Sequence, residues 1–378
     1  MLVDGFVTCP RGLEEALAEE LTALDVPEAV AGLGGVRIVG DRCDLYRINL
    51  LSRLAGRVLR RVGEVKARDA EALYRSVRAI DWPAEFAVGR RFRIRFTARK
   101  SPLRSLQFAT LKAKDAVCDR FRADTGRRPD VDPKDAEVSI HIFVDGRRGW
   151  AYLDTSGAPL FQRGWRRGEV AAPLRENRAA GLLVLSGWEP TSPLVDPFCG
   201  GGTLLIEAAR RRAGLPPALP RDYAFQALAD YDPEGWQRLL AEAREARCAA
   251  DDLPPLRGFD LDGKALSAAR RNAEEAGVAD RIVFEKGDAR DMRPEGAPGW
   301  LVSNPPYGER LAAGAALYHA VGEQWRNHWA DWSVAVLSPE KRLGSKLGMN
   351  VAAEWPLYNG DIACWLRKMA PTGDRTGP

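Results

Sequence analysis

The tetrapeptide Asn304-Pro305-Pro306-Tyr307 closes the apolar run Trp300-Leu301-Val302, and the glycine-rich segment Asp196-Pro197-Phe198-Cys199-Gly200-Gly201-Gly202-Thr203 stands about one hundred residues upstream. Two consecutive prolines stiffen the backbone and give up their own N–H donors, so carbonyl acceptors remain. Asn304 adds a side-chain carbonyl and Tyr307 an aromatic face. The exocyclic amine of a nucleobase needs such a ledge, because its lone pair is delocalised into the ring and it is a poor nucleophile. Asn304, Pro305 and Tyr307 are therefore the expected catalytic residues, and methylation of a base amine is the expected chemistry.

Gly200 and Gly202 permit a close backbone approach and positive φ. A dinucleotide fingerprint would place a third glycine where Leu205 stands, and a P-loop would require Gly-Lys-Ser/Thr, which is absent. The turn thus suits a ligand without a pyrophosphate. Asp260 ends the next strand, where a carboxylate can accept both ribose hydroxyls. Asp288, in Lys286-Gly287-Asp288, ends the one after and is placed to accept from an adenine amine. With Asp196, Gly200 and Gly202, these residues fit S-adenosylmethionine. Asp262 reads instead as a helix N-cap before Lys264. Cys199 reads as a small packing residue, and a C5-pyrimidine methyltransferase, which needs a catalytic cysteine, is disfavoured.

The elements that must hold these residues alternate in type. Helices are expected at 174–186, 203–213, 234–249, 264–276 and 317–329, with a short one after Pro339. Strands are expected at 194–196, 256–259, 282–285, 300–303 and 333–337, and a terminal pair at 352–357 and 362–368. Such alternation implies an α/β domain over 173–369, with a doubly wound, mostly parallel sheet and ligands outside the carboxyl ends of its strands. Residues 370–378 read as a disordered tail.

Upstream, residues 1–65 read as a small α+β unit, with helices at 12–24 and 44–54 and strands at 36–39 and 57–65. Residues 66–155 repeat the pattern at larger size. Arg91-Phe92-Arg93-Ile94-Arg95-Phe96 alternates strictly, turning Arg91, Arg93 and Arg95 to one face as a candidate phosphate-contacting surface. A helix at 105–121 carries Lys112 and Lys114, and Asp145-Gly146 signals a hairpin. Residues 156–172 read as a linker in which Arg163, Trp165, Arg166 and Arg167 interleave cation and aromatic, a pattern that RNA and an ordinary linker would each explain.

Charge separates these regions. The chain carries +4, but residues 66–167 hold 23 Lys and Arg against 13 Asp and Glu, a local +10 that leaves −6 for the remainder. Regional concentration points to a nucleic-acid surface, since compositional bias would spread the charge evenly. With 378 residues and 45% hydrophobic content, the chain has enough apolar surface for two or three cores. The six cysteines form no Cys-x-x-Cys pair and the three histidines no ligand-spaced cluster, so neither a metal site nor disulfides are expected. No run of eighteen apolar residues and no leader-like start occur, so the expectation is a cytoplasmic protein with no membrane association and no obligate protein partner.

Four stretches carry a family resemblance: Arg11-Gly12-Leu13-Glu14-Glu15; Ser105-Leu106-Gln107-Phe108 through Lys112-Ala113-Lys114-Asp115-Ala116; Asp196 to Ala209; and Ser303 through Arg310-Leu311. In these the sequence resembles the THUMP-domain RNA guanine-N2 methyltransferases, most closely the N-terminal half of the bifunctional large-subunit rRNA methyltransferases of bacteria. The resemblance implies a ferredoxin-like domain, an RNA-binding THUMP domain and a Rossmann-like class I methyltransferase domain. By motif position, Asp196, Gly200, Gly202, Asp260 and Asp288 would line the cofactor, while Asn304, Pro305 and Tyr307 would hold a flipped base. Gly201 stands where the family usually has serine, and in that closest likeness a second methyltransferase domain follows. The implied product is N2-methylguanosine in 23S rRNA; a tRNA guanine, or N6-adenine methylation, which uses the same tetrapeptide, is the alternative.

Overall fold

The structure is a computed structural model in which residues 2–167, 174–246, 253–254, 256–306, 314–359 and 362–370 are described. The chain divides into two compact units. The first comprises Met1–Cys9, Ala18–Leu160 and Pro220–Ala241; the second comprises Pro10–Leu17, Phe161–Leu219 and Glu242–Pro378.

In the first stretch the elements run β1 (Val3–Thr8), α1 (Glu14–Ala23), β2 (Glu28–Gly32), β3 (Gly35–Gly40), α2 (Arg42–Leu51), β4 (Arg57–Lys66), α3 (Ala70–Arg78), α4 (Trp82–Glu85), β5 (Phe92–Arg99), α5 (Leu106–Thr125), β6 (Val138–Asp145) and β7 (Arg148–Asp154). Local chemistry sets the helix ends. Asp41 and Asp44 form a reciprocal capping box at α2, and Ser105 caps α5 by accepting from Phe108 N at 3.2 Å.

The stretches 1–65 and 66–155 both contribute strands to one seven-stranded sheet, ordered β2-β3-β1-β4-β7-β6-β5. The ten-residue β4 pairs antiparallel with β1 through Arg57–Arg60 and with β7 along its length, so no sheet edge falls at residue 65. Phe92, Trp82, Phe86 and Phe121 are fully buried beneath this sheet, whereas Arg95 on β5 is exposed.

Over 156–172, read as a linker, the chain is packed as far as Arg167; 168–172 lie outside the described residues. Asn49 donates to Thr155 Oγ1 at 2.9 Å and accepts from Ser156 Oγ at 2.6 Å, while Ser156 Oγ accepts from Val58 N. This buried network ties the end of β7 to α2 and β4. Residues 220–241, within the stretch 173–369, fall in the first compact unit. Tyr223, Phe225, Tyr231 and Trp236 from that segment cluster with Tyr46 of α2, with ring centroids 4.3 to 6.2 Å apart. Burial of these aromatic rings gives the segment its place in the first unit.

The later elements are α6 (Glu176–Ser186), β8 (Leu194–Asp196), α7 (Thr203–Arg212), α8 (Pro233–Glu245), β9 (Leu256–Asp260), α9 (Gly263–Glu275), β10 (Ile282–Lys286), β11 (Trp300–Ser303), α10 (Gly314–His328), β12 (Ser333–Ser338), α11 (Leu343–Leu347), β13 (Val351–Asn359) and β14 (Ile362–Met369). They build a sheet ordered β10-β9-β8-β11-β12-β14-β13. The first five strands in that order run parallel, and β14 pairs antiparallel with both β12 and β13. Strand order reverses between β8 and β11, the place where a doubly wound sheet opens a crevice. Leu301, Val334 and Val336 are fully buried, covered by Trp325 and Trp329 of α10 and its end. Among the described residues no helix is long and apolar enough to cross a membrane.

Candidate active site

Asp196, Asp260 and Ser303-Asn304 stand at the carboxyl ends of neighbouring parallel strands, because β8 pairs with β9 on one side and with β11 on the other. Asp196 is 3% exposed; its Oδ1 accepts from Ser303 Oγ at 2.6 Å and from Phe198 N at 3.2 Å. Burial pushes its carboxyl up to about 7; the Asp260 charge adds to the rise and the two donors oppose it.

The glycine turn follows directly. Gly200 has φ +51 and a Cβ added there would meet nothing within 4 Å, so its outer face is open to a ligand. Gly202 has φ +78, and a Cβ there would lie 2.9 Å from Phe284 Cζ and 3.1 Å from Ala269 Cβ. One glycine leaves space and the other lets the turn pack. Gly200 N donates to Asp260 Oδ2 at 2.9 Å and Asp262 N donates to Asp260 Oδ1 at 2.9 Å. Each carboxylate oxygen keeps a further lone pair, enough for two ribose hydroxyls.

Asp288 is held below the usual carboxylate range by Arg290, which meets it through Nε at 2.9 Å, Nη2 at 2.5 Å and its backbone N at 2.9 Å. Two of those bonds fall on Oδ1 and one on Oδ2, leaving one lone pair for an adenine amine. The donors and acceptors present therefore fit an adenosyl group. Asp262 caps α9 by accepting from Lys264 N at 2.8 Å, and Cys199 is buried, with its Cβ within 3.1 Å of the position a side chain at Gly258 would take. Burial pushes that thiol well above its ordinary value, which suits packing rather than nucleophilic chemistry.

Asn304 is half-buried, and its Oδ1 is sealed from solvent with no hydrogen-bond partner among the described residues. A buried acceptor left open in this way costs roughly 1–3 kcal/mol, and such an atom calls for an explanation, a catalytic role being one. Pro305 is buried beside it. Tyr307 lies outside the described residues.

Two contributors carry no sequence motif. Asn272 of α9 is fully buried; it donates to the Gly201 carbonyl at 3.0 Å and accepts from Arg167 N at 2.7 Å, so it pins the glycine turn. Ser303 is 0% exposed and engages Asp196. It opens the stretch Ser303 through Arg310-Leu311 that carries the family resemblance, which assigned it no role.

The expected RNA-contacting residues separate into two groups. Arg163 is buried and its Nε bonds Glu207 Oε1 at 3.2 Å; Arg166 bonds Glu176, Leu174 O and Thr203 Oγ1 at 3.0 to 3.1 Å. Both serve the interior of the second unit, because their partners are the buried carboxylates Glu207 and Glu176. Arg163 is buried and so presents no surface to RNA, whereas Arg166 is partly exposed. In the first unit, Arg91 pairs with Asp135 at 2.7 Å, Arg93 bonds Ser139 at 3.2 Å, and Lys114 pairs with Asp115 at 2.7 Å. Lys112 lies 5.8 Å from the ring of Phe108, which is 51% exposed. Arg95 is exposed. Among the described residues no group of three or more His, Cys, Asp or Glu could hold a metal.

Comparison with known proteins places three domain families along the chain: the RlmL ferredoxin-like domain at residues 4–59, the THUMP domain at 67–154, and the RMKL-like methyltransferase domain at 163–368. The chain is 38% identical over 97% of its length to the ribosomal RNA large subunit methyltransferase K/L of Methylococcus capsulatus, covering 51% of that protein. It thus spans about half the length of the first curated relatives it matches. The likeness is not confined to half of a longer protein, however. A Synechocystis protein provisionally named RNA methyltransferase slr0064 is 36% identical over 96% of this chain and 95% of its own length. Among solved structures, SMU.472, provisionally described as a methyltransferase and complexed with SAH, is 31% identical with a TM-score of 0.89, covering 97% of each chain.

Proposed function

Because this chain belongs to the RMKL-like methyltransferase family, with its methyltransferase domain at residues 163–368, we propose that it methylates the N2 amine of a guanine in large-subunit rRNA, using S-adenosylmethionine. The observation that carries the reading is the open, solvent-sealed Asn304 Oδ1 at the end of β11, one strand from the glycine turn. Gly200, Gly202, Asp260 and Asp288 would hold the cofactor, with Asp196 beneath the turn. Bound S-adenosylmethionine supplies an electrophilic methyl group. The THUMP family match and the local positive charge of residues 66–167 support an RNA acceptor in the cytoplasm.

In this mechanism the target guanine leaves its helix and enters the site edge-on. Asn304 Oδ1 and the Pro305 carbonyl accept the two amine hydrogens, and Tyr307 offers a stacking face. These bonds draw the nitrogen toward tetrahedral geometry and return its lone pair from the ring. Asn304 also stabilises the positive charge that grows on nitrogen as the N–CH3 bond forms at the expense of the donor's S–CH3 bond, whose electron pair stays on sulfur as a neutral thioether; the nitrogen then sheds one proton to water. Positioning in a dry site supplies most of the rate, and no base with a tuned pKa is required beforehand.

The deciding experiment is mass-spectrometric mapping of N2-methylguanosine in rRNA and tRNA from a deletion strain. The expected result is one missing mark in large-subunit rRNA. Loss of a tRNA mark instead would redirect the substrate, and loss of N6-methyladenosine would replace the target atom.

A further inference from the structure

We infer that Ser303 is a positioning residue for methyl transfer: its hydrogen bond to Asp196 ties the end of β11 to the end of β8 and so fixes where Asn304 presents its carbonyl. This rests on the amine-methyltransferase reading above. Ser303 is fully buried, so it reaches neither cofactor nor base, and the next residue is Asn304. The β8–β11 ladder itself is short: Trp300 pairs with Leu194 and Leu301 with Val195, and the register stops before Asp196 and Ser303. Beyond that stop, the 2.6 Å bond from Ser303 Oγ to Asp196 Oδ1 joins the two strand ends. Asp196 is in turn anchored by Phe198 N, at the start of the glycine turn. One carboxylate therefore links the turn expected to hold the donor to the strand end that carries the acceptor ledge. A shift of that ledge by a fraction of an ångström misaligns an in-line transfer without touching cofactor contacts.

The test compares full-length wild type, Ser303→Ala and Ser303→Thr. Three readouts are used: calorimetric titration with S-adenosylhomocysteine, single-turnover transfer from S-adenosylmethionine to unmodified large-subunit rRNA, and the NMR signal of the Asn304 side-chain amide. Ser303→Ala is expected to bind S-adenosylhomocysteine within about threefold of wild type and to lose at least about tenfold in transfer rate with an unchanged KM for the donor. Ser303→Thr, which keeps the hydroxyl, is expected to recover most of that loss. Wild-type transfer by Ser303→Ala, or a parallel loss of S-adenosylhomocysteine affinity, overturns the inference. If wild type itself transfers nothing to this RNA, the functional reading fails instead. The Asn304 amide signal then decides, moved in Ser303→Ala if the tie positions it and unmoved if it does not.

Discussion

Arg163 donates from Nε to Glu207 Oε1 at 3.2 Å, and the two side chains are 1% and 0% exposed. A cation expected from its neighbourhood to meet RNA is thus half of a core ion pair. Arg163→Ala should destabilise the protein by roughly 3–5 kcal/mol, since it strands a buried carboxylate. Paired replacement as Arg163→Met with Glu207→Leu should recover most of the loss. Urea unfolding of wild type and the two variants checks this, and a near-neutral Arg163→Ala would show that water reaches Glu207.

Asp196 gives a pH dependence of known sign. Its carboxyl is raised by burial from an ordinary 3.8 to about 7 in the folded chain. The folded state therefore binds the proton more tightly than the unfolded one, and the stabilising contribution is complete below pH 4. It is lost as pH rises toward 7 and is absent above it, an effect of up to roughly 4 kcal/mol. Asp196→Asn should remove that slope, so its stability relative to wild type should improve from pH 4 to pH 7 and then level off. Chemical denaturation at pH 5 and pH 8 measures it.

The two glycines of the turn should respond differently to alanine. At Gly200 only the positive φ opposes a side chain, a cost of about 1–2 kcal/mol. At Gly202 the same strain is joined by close approach to Phe284 and Ala269, for roughly 2–4 kcal/mol. Cofactor affinity should fall more at Gly200→Ala, whose added methyl enters the open face. Calorimetry beside thermal unfolding separates the two effects.

Asn304→Ala should lower turnover by at least about 100-fold while leaving cofactor affinity near wild type, because the lost acceptor acts on the amine alone. Full activity in that variant would sink the assignment of the ledge.

Arg95 offers the test of the basic surface. It is exposed, and partial desolvation of its guanidinium, followed by the neighbouring Arg93 and Arg57 charges, lowers its pKa. Arg95→Gln should weaken RNA binding a few-fold and reduce the salt slope by about one, with cofactor affinity unchanged. Arg163→Met with Glu207→Leu should leave that slope alone.

Much of the fold was legible because its signals are local. The alternation of strand and helix after residue 173, the Asp145-Gly146 hairpin and the Asp262 cap each depend on neighbours within a few residues, and each appears where expected. The hairpin of β2 and β3 around Leu33-Gly34 was only half legible, since β2 is an edge strand of mostly small residues with weak alternation. The merger of 1–65 with 66–155 into one sheet was not legible, because long-range pairing of β4 with β7 leaves no local mark.

For the site, the sequence by itself determined which residue types lie at strand ends: the glycine turn, the acidic residues and Asn304-Pro305-Pro306. Only the tertiary structure decided which of them meet. Parallel pairing sets Asp196 beside Ser303, folding buries Arg163 against Glu207 and pairs Arg166 with Glu176, and Asn272 reaches back from α9 to hold Gly201. The physical reason is that motif chemistry is carried by covalent neighbours, whereas burial and partner choice are set by packing between segments far apart in the chain.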